Sequence, residues 1–490
     1  MNLNLLILIP ALTLLGILLA NGKMSRVIAL GGSFAQLGAA LFMLFSYMKS
    51  NDASHLAFEE SHVWFAQWNI NYHIGVDAIS IAMILLTSVV LVAGVLVSWN
   101  VENKPKEFFF LLVLLATGAF GFFISVDLFV QFFFFELAVI PKYLLIAIWG
   151  SGRKEYSAMK LVLMLMGGSS LVLIGILGFY YYSVQAGTPS FDLQTLSHLS
   201  LTHDQQMFLF PMLFAGFAVL SAMFPFHTWA PDGHSSAPTA ASMFLAGISM
   251  KLGGYGCLRV AVYLLPDAAH EYSPYIIIFA CIGILYGAFV TLKQKDIKLM
   301  NAYSSVSHCG FVILGIAMFT QTAMVGAVLQ MISHGVMTAL FFAVIGMIYE
   351  RSHTRIGSEM GGLMKVMPFI GTVFIIAGLT SLGLPGFSGF VAEMTVFVGS
   401  FQNAGMFYRV ATILATASIV VTAVYILQAV GITLWGPIKK KEYEGLYDAT
   451  WNEKLAAGIL VVAIVIMGTM PLWLSDMISK TTEVLFTTVK

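Results

Sequence analysis

Most of this chain consists of apolar runs that are each long enough to cross a lipid bilayer. The 490 residues are 59% hydrophobic and only 10% charged, whereas roughly 25% of the residues in a soluble domain are charged. A spanning helix needs about 20 mostly apolar residues, and a backbone inside lipid must satisfy its hydrogen bonds within the helix. The sequence therefore predicts an all-α polytopic membrane protein with about fourteen transmembrane helices.

Two of the predicted spans contain residues that break helices. The apolar run 364–402 is too long for one straight helix, and the sequence GLPG at 383–386 interrupts it. A second break is expected between Pro225 and Pro238. Broken backbone at bilayer depth survives only where protein or a wet cavity surrounds it. One discontinuous helix in each half of a chain is typical of transporters built from inverted repeats.

Lysine and arginine are distributed unevenly between the predicted loops. Sixteen of them, Lys298 included, are assigned to loops after odd-numbered spans, and only Lys49 and Arg409 follow even-numbered spans. Because cytoplasmic loops carry the excess of these residues, we expect the odd loops to be cytoplasmic and both termini to lie on the outer side. The segment 55–76 has aromatic residues among polar ones and is expected on the membrane surface.

Composition and motifs exclude several classes of function. The net charge is zero, so nothing indicates a nucleic-acid partner. Cys257, Cys281 and Cys309 are far apart in apolar surroundings and are expected to be small packing residues. The chain has no Walker loop, GxGxxG, CxxC or haem motif. His227 and His234 flank WAPDG and could bind a metal, but no third ligand is visible, so contact with water in the broken helix is favoured.

Two glutamates lie inside apolar runs, where a charged side chain is costly. Glu136 follows four phenylalanines, and Glu393 follows GLPGFSGFVA. An ionisable residue at this depth is a functional candidate because it must face a partner or water. A carboxyl group whose cationic partner moves can take up and release a proton. The alternative for each glutamate is a fixed buried ion pair.

Basic residues in other apolar runs complete a possible chain of protonatable groups. Lys251 is surrounded by small residues and is a candidate proton carrier. Lys160 opens a span, and it either extends towards the interface or pairs with a buried carboxylate. His308 and His334 lie on successive spans near hydroxyl side chains. Histidine can pass a proton between its two nitrogens, although a histidine in an apolar helix is more often a satisfied core residue.

Four sequence blocks identify the chain as similar to a known family. They are FFFFELAVIPKY at 132–143, FPFHTWAPDGHSSAPTA at 224–240, QKDIKLMNAYSSVSHCG at 294–310 and LGLPGFSGFVAE at 382–393. These blocks resemble the antiporter-like subunits of respiratory complex I, the proton-translocating NADH:quinone oxidoreductase. The first block and the length of the chain resemble the M-type member, because the L-type member carries a long lateral helix at its C-terminus.

This resemblance implies the fold and its organisation. Residues 1–490 would form one transmembrane domain with two inverted repeats of about five helices each. The first repeat would cover about 107–264 and the second about 273–436, with flanking helices in 1–98 and 452–475. The chain is expected in a bacterial-type inner (cytoplasmic) membrane and to end shortly after its last span.

The resemblance also implies roles and partners. Glu136 would be the fifth-span glutamate, Lys251 the central lysine of the eighth span and Glu393 the terminal group of the broken twelfth span. The chain would translocate protons as a subunit of an oxidoreductase while carrying no cofactor itself. NADH, FMN, iron–sulfur clusters and quinone are expected in other subunits. The expected partners are other membrane-arm subunits, including neighbouring antiporter-like subunits, together with the lipid bilayer.

One position departs from the family pattern. Leu220 stands where the family usually has a seventh-span lysine, so the pair normally formed with Glu136 is incomplete. Lys142 lies six residues after Glu136, and on a straight helix it would point to another side. Lys160 is therefore expected to be the partner of Glu136. Two other functions stay open, a subunit of a multi-subunit Na⁺/H⁺ antiporter and a purely structural membrane scaffold.

Overall fold

The computed structural model describes residues 2–49 and 56–489, and helices account for most of them. In chain order they are α1 (Leu5–Leu19), α2 (Gly22–Lys49), α3 (Ala78–Val97), α4 (Pro105–Ile124), α5 (Leu128–Leu137), α6 (Val139–Trp149), α7 (Lys154–Gln185), α8 (Leu193–Ser197), α9 (His203–Leu220), α10 (Trp229–Ser236), α11 (Thr239–Phe244), α12 (Met250–Gly256), α13 (Pro266–Lys293), α14 (Ile297–Ala317), α15 (Gln321–Ser352), α16 (Leu363–Val366), α17 (Pro368–Ser381), α18 (Ser388–Phe401), α19 (Met406–Leu434), α20 (Trp451–Thr469) and α21 (Leu472–Val489).

The long helices confirm an all-α polytopic membrane fold. Among the described residues, 10 helices are long and apolar enough to cross a membrane, when α5 and α6 are taken together. The helices α1, α17 and α18 are apolar but shorter. The total of about fourteen spans is compatible with these bounds and stays a prediction.

Both expected helix breaks are present. The seventh span ends with α9 at Leu220, and the chain resumes as a regular helix only at α10 and α11. The second break separates α17 from α18. Gly383 and Gly386 lie within it at φ values of 74° and 97°, which side chains other than glycine rarely adopt. The prediction of interruptions near Pro225–Pro238 and Gly383–Gly386 is therefore confirmed.

The segment before α3 folds as an antiparallel hairpin. Strand β1 (Ala57–Phe65) pairs with β2 (Ile70–Val76), and Ser61 lies opposite His73. Residue 55 of the segment predicted to lie on the membrane surface is outside the described residues. Tyr72 contacts Asn4, so the hairpin lies beside the start of α1. Its position on the membrane surface stays a prediction.

Helix α15 lies at the centre of the fold. Its apolar stretch is buried throughout, and it packs against α3, α14, α17, α18 and α20. Two glycines allow the eighth span to approach α15 closely. A Cβ atom on Gly335 would lie 2.8 Å from the carbonyl oxygen of Gly247, so any larger residue would separate the two helices. This close approach places the residues around Lys251 against those around His334.

The C-terminal part differs from the sequence prediction. The predicted span 452–475 ends at Thr469, and a further helix, α21, follows. The last predicted span is therefore shorter than expected, and residues 472–475 belong to the following helix. The sequence turns from one helix to the next at Met470 and Pro471, where proline starts a new helix rather than continuing the old one. The mixed polar and apolar composition of α21 suits a helix that packs on one face only.

Candidate functional site

Lys251 lies in the most irregular part of the eighth span. Two π-helical segments, Leu245–Ser249 and Cys257–Val262, flank the short helix α12 that carries it. Such segments interrupt the regular hydrogen-bond pattern and often occur at functional sites. The ammonium group of Lys251 donates a hydrogen bond to the Ala246 carbonyl at 2.5 Å. The local distortion therefore supplies an acceptor for a lysine that is only 1% exposed.

Four predicted residues form a continuous chain through the second half of the molecule. Lys251 Nζ lies 2.7 Å from Nδ1 of His334. The rings of His334 and His308 stack with centroids 5.2 Å apart. His308 Nδ1 lies 3.2 Å from Oε1 of Glu393. All four side chains are buried, so they form a line of titratable groups that crosses from the eighth span to the broken twelfth span.

The helix break shapes the end of this line. A Cβ atom on Gly383 would lie 2.8 Å from Oε2 of Glu393, so the glycine leaves room for the carboxylate beside the broken backbone. Ser381, at the end of α17, lies 3.1 Å from Nε2 of His308 through its hydroxyl group. Gln330 Nε2 lies 3.4 Å from Nδ1 of the same histidine. Each ring nitrogen of His308 therefore has at least one polar neighbour.

Two further buried residues lie near this line, and the sequence did not indicate a place for either of them in it. Lys298 was assigned to a loop, but it lies in the first turn of α14, is buried and donates a hydrogen bond to the Ala237 carbonyl at 2.5 Å. His234 is fully buried, and neither ring nitrogen has a hydrogen-bond partner among the described residues. The charges of Lys251 and Lys298 both act on its ring. The first break therefore holds a buried histidine on which two buried lysines act electrostatically.

The predicted pairing of Lys160 with Glu136 is wrong. Lys160 Nζ lies 2.7 Å from Oδ2 of Asp232, and both side chains are partly exposed. Asp232 belongs to α10, which packs directly against α7. The tertiary contact between these helices therefore gives Lys160 a carboxylate that the sequence spacing did not indicate. Oε1 of Glu136 is buried and has no hydrogen-bond partner among the described residues.

Lys142, which the six-residue spacing directs to another side of the helix than Glu136, is completely buried. Its side chain is 0% exposed, and its Nζ has no hydrogen-bond partner in the described part of the chain. A desolvated ammonium group is costly unless it is paired. Its burial indicates that the chain keeps this lysine for a reason other than stability. The sequence showed its presence in an apolar run but not its degree of burial.

Other charged residues have structural roles. Nη1 of Arg259 lies 2.9 Å from Oδ2 of Asp77. Oδ1 of Asp77 accepts the Ser80 backbone N–H at 2.8 Å, so Asp77 is the N-cap of α3. This buried pair joins the start of α3 to the end of the eighth span. The role of Arg259 is therefore explained by helix packing.

The proposed metal ligands do not come together. Among residues 2–49 and 56–489, no group of three or more His, Cys, Asp and Glu side chains is arranged to hold a metal ion. His227 packs instead against the rings of Phe224 and Tyr286. The three cysteines are buried and unbridged, in keeping with a packing role.

The sequence is similar to a family of membrane subunits. The family model described as NADH:quinone oxidoreductase/Mrp antiporter, transmembrane, matches residues 125–422. NAD(P)H-quinone oxidoreductase chain 4 1 of Trichodesmium erythraeum is 37% identical over 428 residues, which are 86% of this chain and 81% of that protein. Chain 4 1 of Microcystis aeruginosa is 35% identical over 476 residues, which are 96% of this chain and 89% of the relative.

Solved structures have the same fold. A chain of respiratory complex I from Thermus thermophilus with bound NADH superposes with a TM-score of 0.91 and 26% identity, and the match covers 100% of both chains. A chain of the Mrp complex from Dietzia sp. superposes with a TM-score of 0.85, covering 99% of this chain and 97% of the other. At 18% identity this second similarity concerns the fold alone.

Proposed function

This chain belongs to the NADH:quinone oxidoreductase/Mrp antiporter family of transmembrane subunits, and we propose that it is the M-type, proton-translocating subunit of a complex I-type quinone oxidoreductase. Within such a complex it couples quinone reduction elsewhere to the transfer of protons across the membrane. The two cyanobacterial relatives described above are chains of NAD(P)H-quinone oxidoreductases. The similarity to complex I extends along the whole chain.

The observation that supports this function is the buried line from Lys251 to Glu393. Lysine, two histidines and glutamate all exchange protons, and each is close to the next. A lysine away from water can release its proton when a neighbouring charge changes, and a carboxyl group can accept it. The stacked histidine rings make no direct hydrogen bond to each other, so a proton crosses that step when a ring rotates or water bridges the pair.

The first half of the chain supplies Glu136 as its protonatable group. In this account Glu136 and the Lys251–Glu393 line are separate segments of one path along the middle of the membrane. His234 lies in α10, within the first helix break, and the buried Lys298 of α14 donates a hydrogen bond to the Ala237 carbonyl at the end of that break. The electrostatic effect of both lysines on His234 couples the break to the second half. A change of charge in one segment therefore alters the proton affinity of the next.

The proposal includes partners and a membrane orientation. The chain assembles with other membrane-arm subunits, including neighbouring antiporter-like subunits, in a bacterial-type inner membrane with both termini on the outer side. NADH, FMN, the iron–sulfur clusters and quinone are assigned to other subunits. The distribution of lysine and arginine between the loops supports this orientation.

Co-purification tests the assignment. The tagged chain is extracted in mild detergent from the membranes of its own host, and the proteins that elute with it are identified by mass spectrometry. Subunits with iron–sulfur and quinone-site sequences are expected. Recovery of small Na⁺/H⁺ antiporter subunits with no redox subunit would contradict the proposal. Recovery of the chain alone from membranes that retain quinone reductase activity would also contradict it.

A further inference from the structure

We propose that Lys142 is the cationic partner of Glu136, so that the fifth span carries both members of the switch in the first half of this chain. The inference rests on the proposed function, because a switch has a purpose only in a chain that moves protons. It assigns a role to a lysine that the sequence reasoning had set aside.

The surroundings of Lys142 support its role as the cationic partner of Glu136. Its side chain is fully buried, and no described residue accepts a hydrogen bond from Nζ. A charge in this position lowers stability unless another charge compensates it. Glu136 is the one charged residue whose carboxylate acts electrostatically on Lys142 among the described residues. The buried Oε1 atom of Glu136 also lacks a hydrogen-bond partner there. The opposite charges of Glu136 and Lys142, neither of which has a bonded partner among the described residues, therefore act on each other electrostatically.

The backbone between Glu136 and Lys142 is locally irregular. The fifth span is not one straight helix, since α5 ends at Leu137 and α6 begins at Val139. Between them, the N–H of Ala138 is shared by the carbonyls of Phe134 and Phe135 at 3.3 Å and 3.1 Å. Ala138 keeps right-handed helical dihedral angles, φ −78° and ψ −16°, so the span is locally irregular but stays helical. The six-residue spacing leaves the two side chains on the same span, and the carboxylate of Glu136 acts electrostatically on Lys142.

The separation between the two groups suits a switch better than a fixed bridge. Within the described part of the chain, neither Oε1 of Glu136 nor Nζ of Lys142 has a hydrogen-bond partner, so the two side chains are not bonded to each other through these atoms. Lysine carries its charge on a flexible four-carbon stem, so a change of rotamer can shorten or lengthen the gap. When the ammonium approaches, the ionised carboxylate is favoured, and when it withdraws or loses its proton, the neutral carboxyl is favoured.

Other candidates for the partner are excluded by their contacts. Lys160 is held by Asp232. Leu220 is buried and apolar, so the seventh span offers no cation at that position. Lys251 is bonded to His334 and Ala246. Lys142 is the buried lysine whose ammonium has no such bond in the described residues.

The test compares Lys142→Met, Glu136→Gln and the double variant in the intact complex. Inverted membrane vesicles are energised with NADH, and the protons pumped per electron are measured from dye quenching against quinone reduction. Each single variant is expected to lower the ratio, and the double variant should be no more than about two-fold lower than the worse single variant, because the residues act as one unit. Lys23→Met removes an exposed lysine and is the control, which should pump normally.

Two further comparisons, with Lys142→Arg and with the double variant, separate a loss of pumping from a loss of assembly. The substitution Lys142→Arg keeps the charge and should retain more pumping than Lys142→Met. If Lys142→Met fails to assemble, the double variant, which buries no charge at either position, decides the question. Normal pumping per electron in assembled Lys142→Met or in the double variant overturns the inference. If Lys251→Ala also pumps normally, the proposed function itself has failed. If Lys251→Ala loses pumping while the Lys142 variants pump normally, only the role proposed for Lys142 is rejected.

Discussion

Nζ of Lys251 lies 2.7 Å from Nδ1 of His334, although the two residues are 83 positions apart in the sequence. The contact is possible because glycines on the eighth span and on α15 let the two helices meet backbone to backbone. It joins a lysine held in a distorted helix to a histidine in the most buried helix of the fold. The path proposed here begins at this contact.

Replacing the acceptor should interrupt the path. In His334→Phe, Lys251 loses the nitrogen at 2.7 Å and keeps only the Ala246 carbonyl. Because a positioned acid–base group typically contributes at least about 100-fold to proton transfer, pumping per electron should be largely lost while quinone reduction persists. His198→Phe, on an exposed histidine, is the control. Pumping at the control level would show that His334 only fills space.

The role of Glu393, at the end of the buried line, can be tested with a substitution that keeps the shape of the side chain. Glutamine has the size of glutamate but cannot ionise, so Glu393→Gln should impair proton transfer while preserving contact with His308. The ratio of protons to electrons in inverted vesicles measures the effect. Glu444→Gln, at an exposed position, should leave the ratio unchanged. If both variants pump equally well, Glu393 is a structural residue.

The ion pair between Arg351 and Glu453 is expected to hold the helices together rather than to carry protons. Nη2 of Arg351 lies 2.6 Å from Oε2 of Glu453, and both side chains are buried. Breaking a buried pair leaves an uncompensated charge that costs about 3–5 kcal/mol. Arg351→Met should therefore lower the thermal stability of the purified complex. Removal of the exposed Lys440, which pairs with Glu359 at 3.4 Å, should have no measurable effect.

A histidine outside the spans gives the hairpin a dependence on pH. Nδ1 of His73 lies 2.5 Å from Oδ2 of Asp192, and Nε2 lies 2.8 Å from Oε1 of Glu59. Burial by itself lowers the pKa of His73, but the hydrogen bonds and charges of these carboxylates outweigh it and raise the pKa above the ordinary value. Burial raises the pKa of Asp192, but the hydrogen bonds from His73 and Thr195 outweigh it and leave that pKa lowered.

These opposite shifts define the pH range in which the hairpin is held. Stabilisation from His73 is complete below its unfolded pKa of about 6.5 and is lost as the pH rises through the raised value, whereas stabilisation from Asp192 is present above about 3.9 and is lost as the pH falls through the lowered value. Hydrogen exchange, corrected for intrinsic rates, should show weaker protection of residues 57–76 at pH 8 than at pH 6. His73→Asn should remove this difference. Equal protection of the wild-type hairpin at both pH values would be incompatible with the account.

The sequence identified the second half of the site because its residues stand out chemically. Lys251 and Glu393 are ionisable residues in apolar runs, and the membrane makes such residues rare unless they have a use. The two helix breaks were visible because proline and glycine act locally on the backbone. Similar reasoning singled out His308 and His334 on successive spans. The proposed roles of these residues stay predictions that the variants above test.

The sequence predictions failed where tertiary contacts determine the partner or the burial of a side chain. The choice of Asp232 as the partner of Lys160 depends on the packing of α10 against α7, which spacing along the chain does not encode. Lys298 looked like a loop residue because it lies at the end of a span, where burial cannot be read from composition. The complete burial of Lys142 was not predicted, because the depth of a side chain depends on which helices pack around it.

The most direct test is the proton-to-electron ratio of purified complex carrying Lys251→Ala, reconstituted into liposomes and compared with the wild type and with Lys365→Ala at an exposed lysine. Quinone reduction and pumping are recorded on the same sample. The account predicts an assembled complex that reduces quinone but pumps fewer protons per electron than either control. An assembled Lys251→Ala complex with the wild-type ratio would contradict the proposed path.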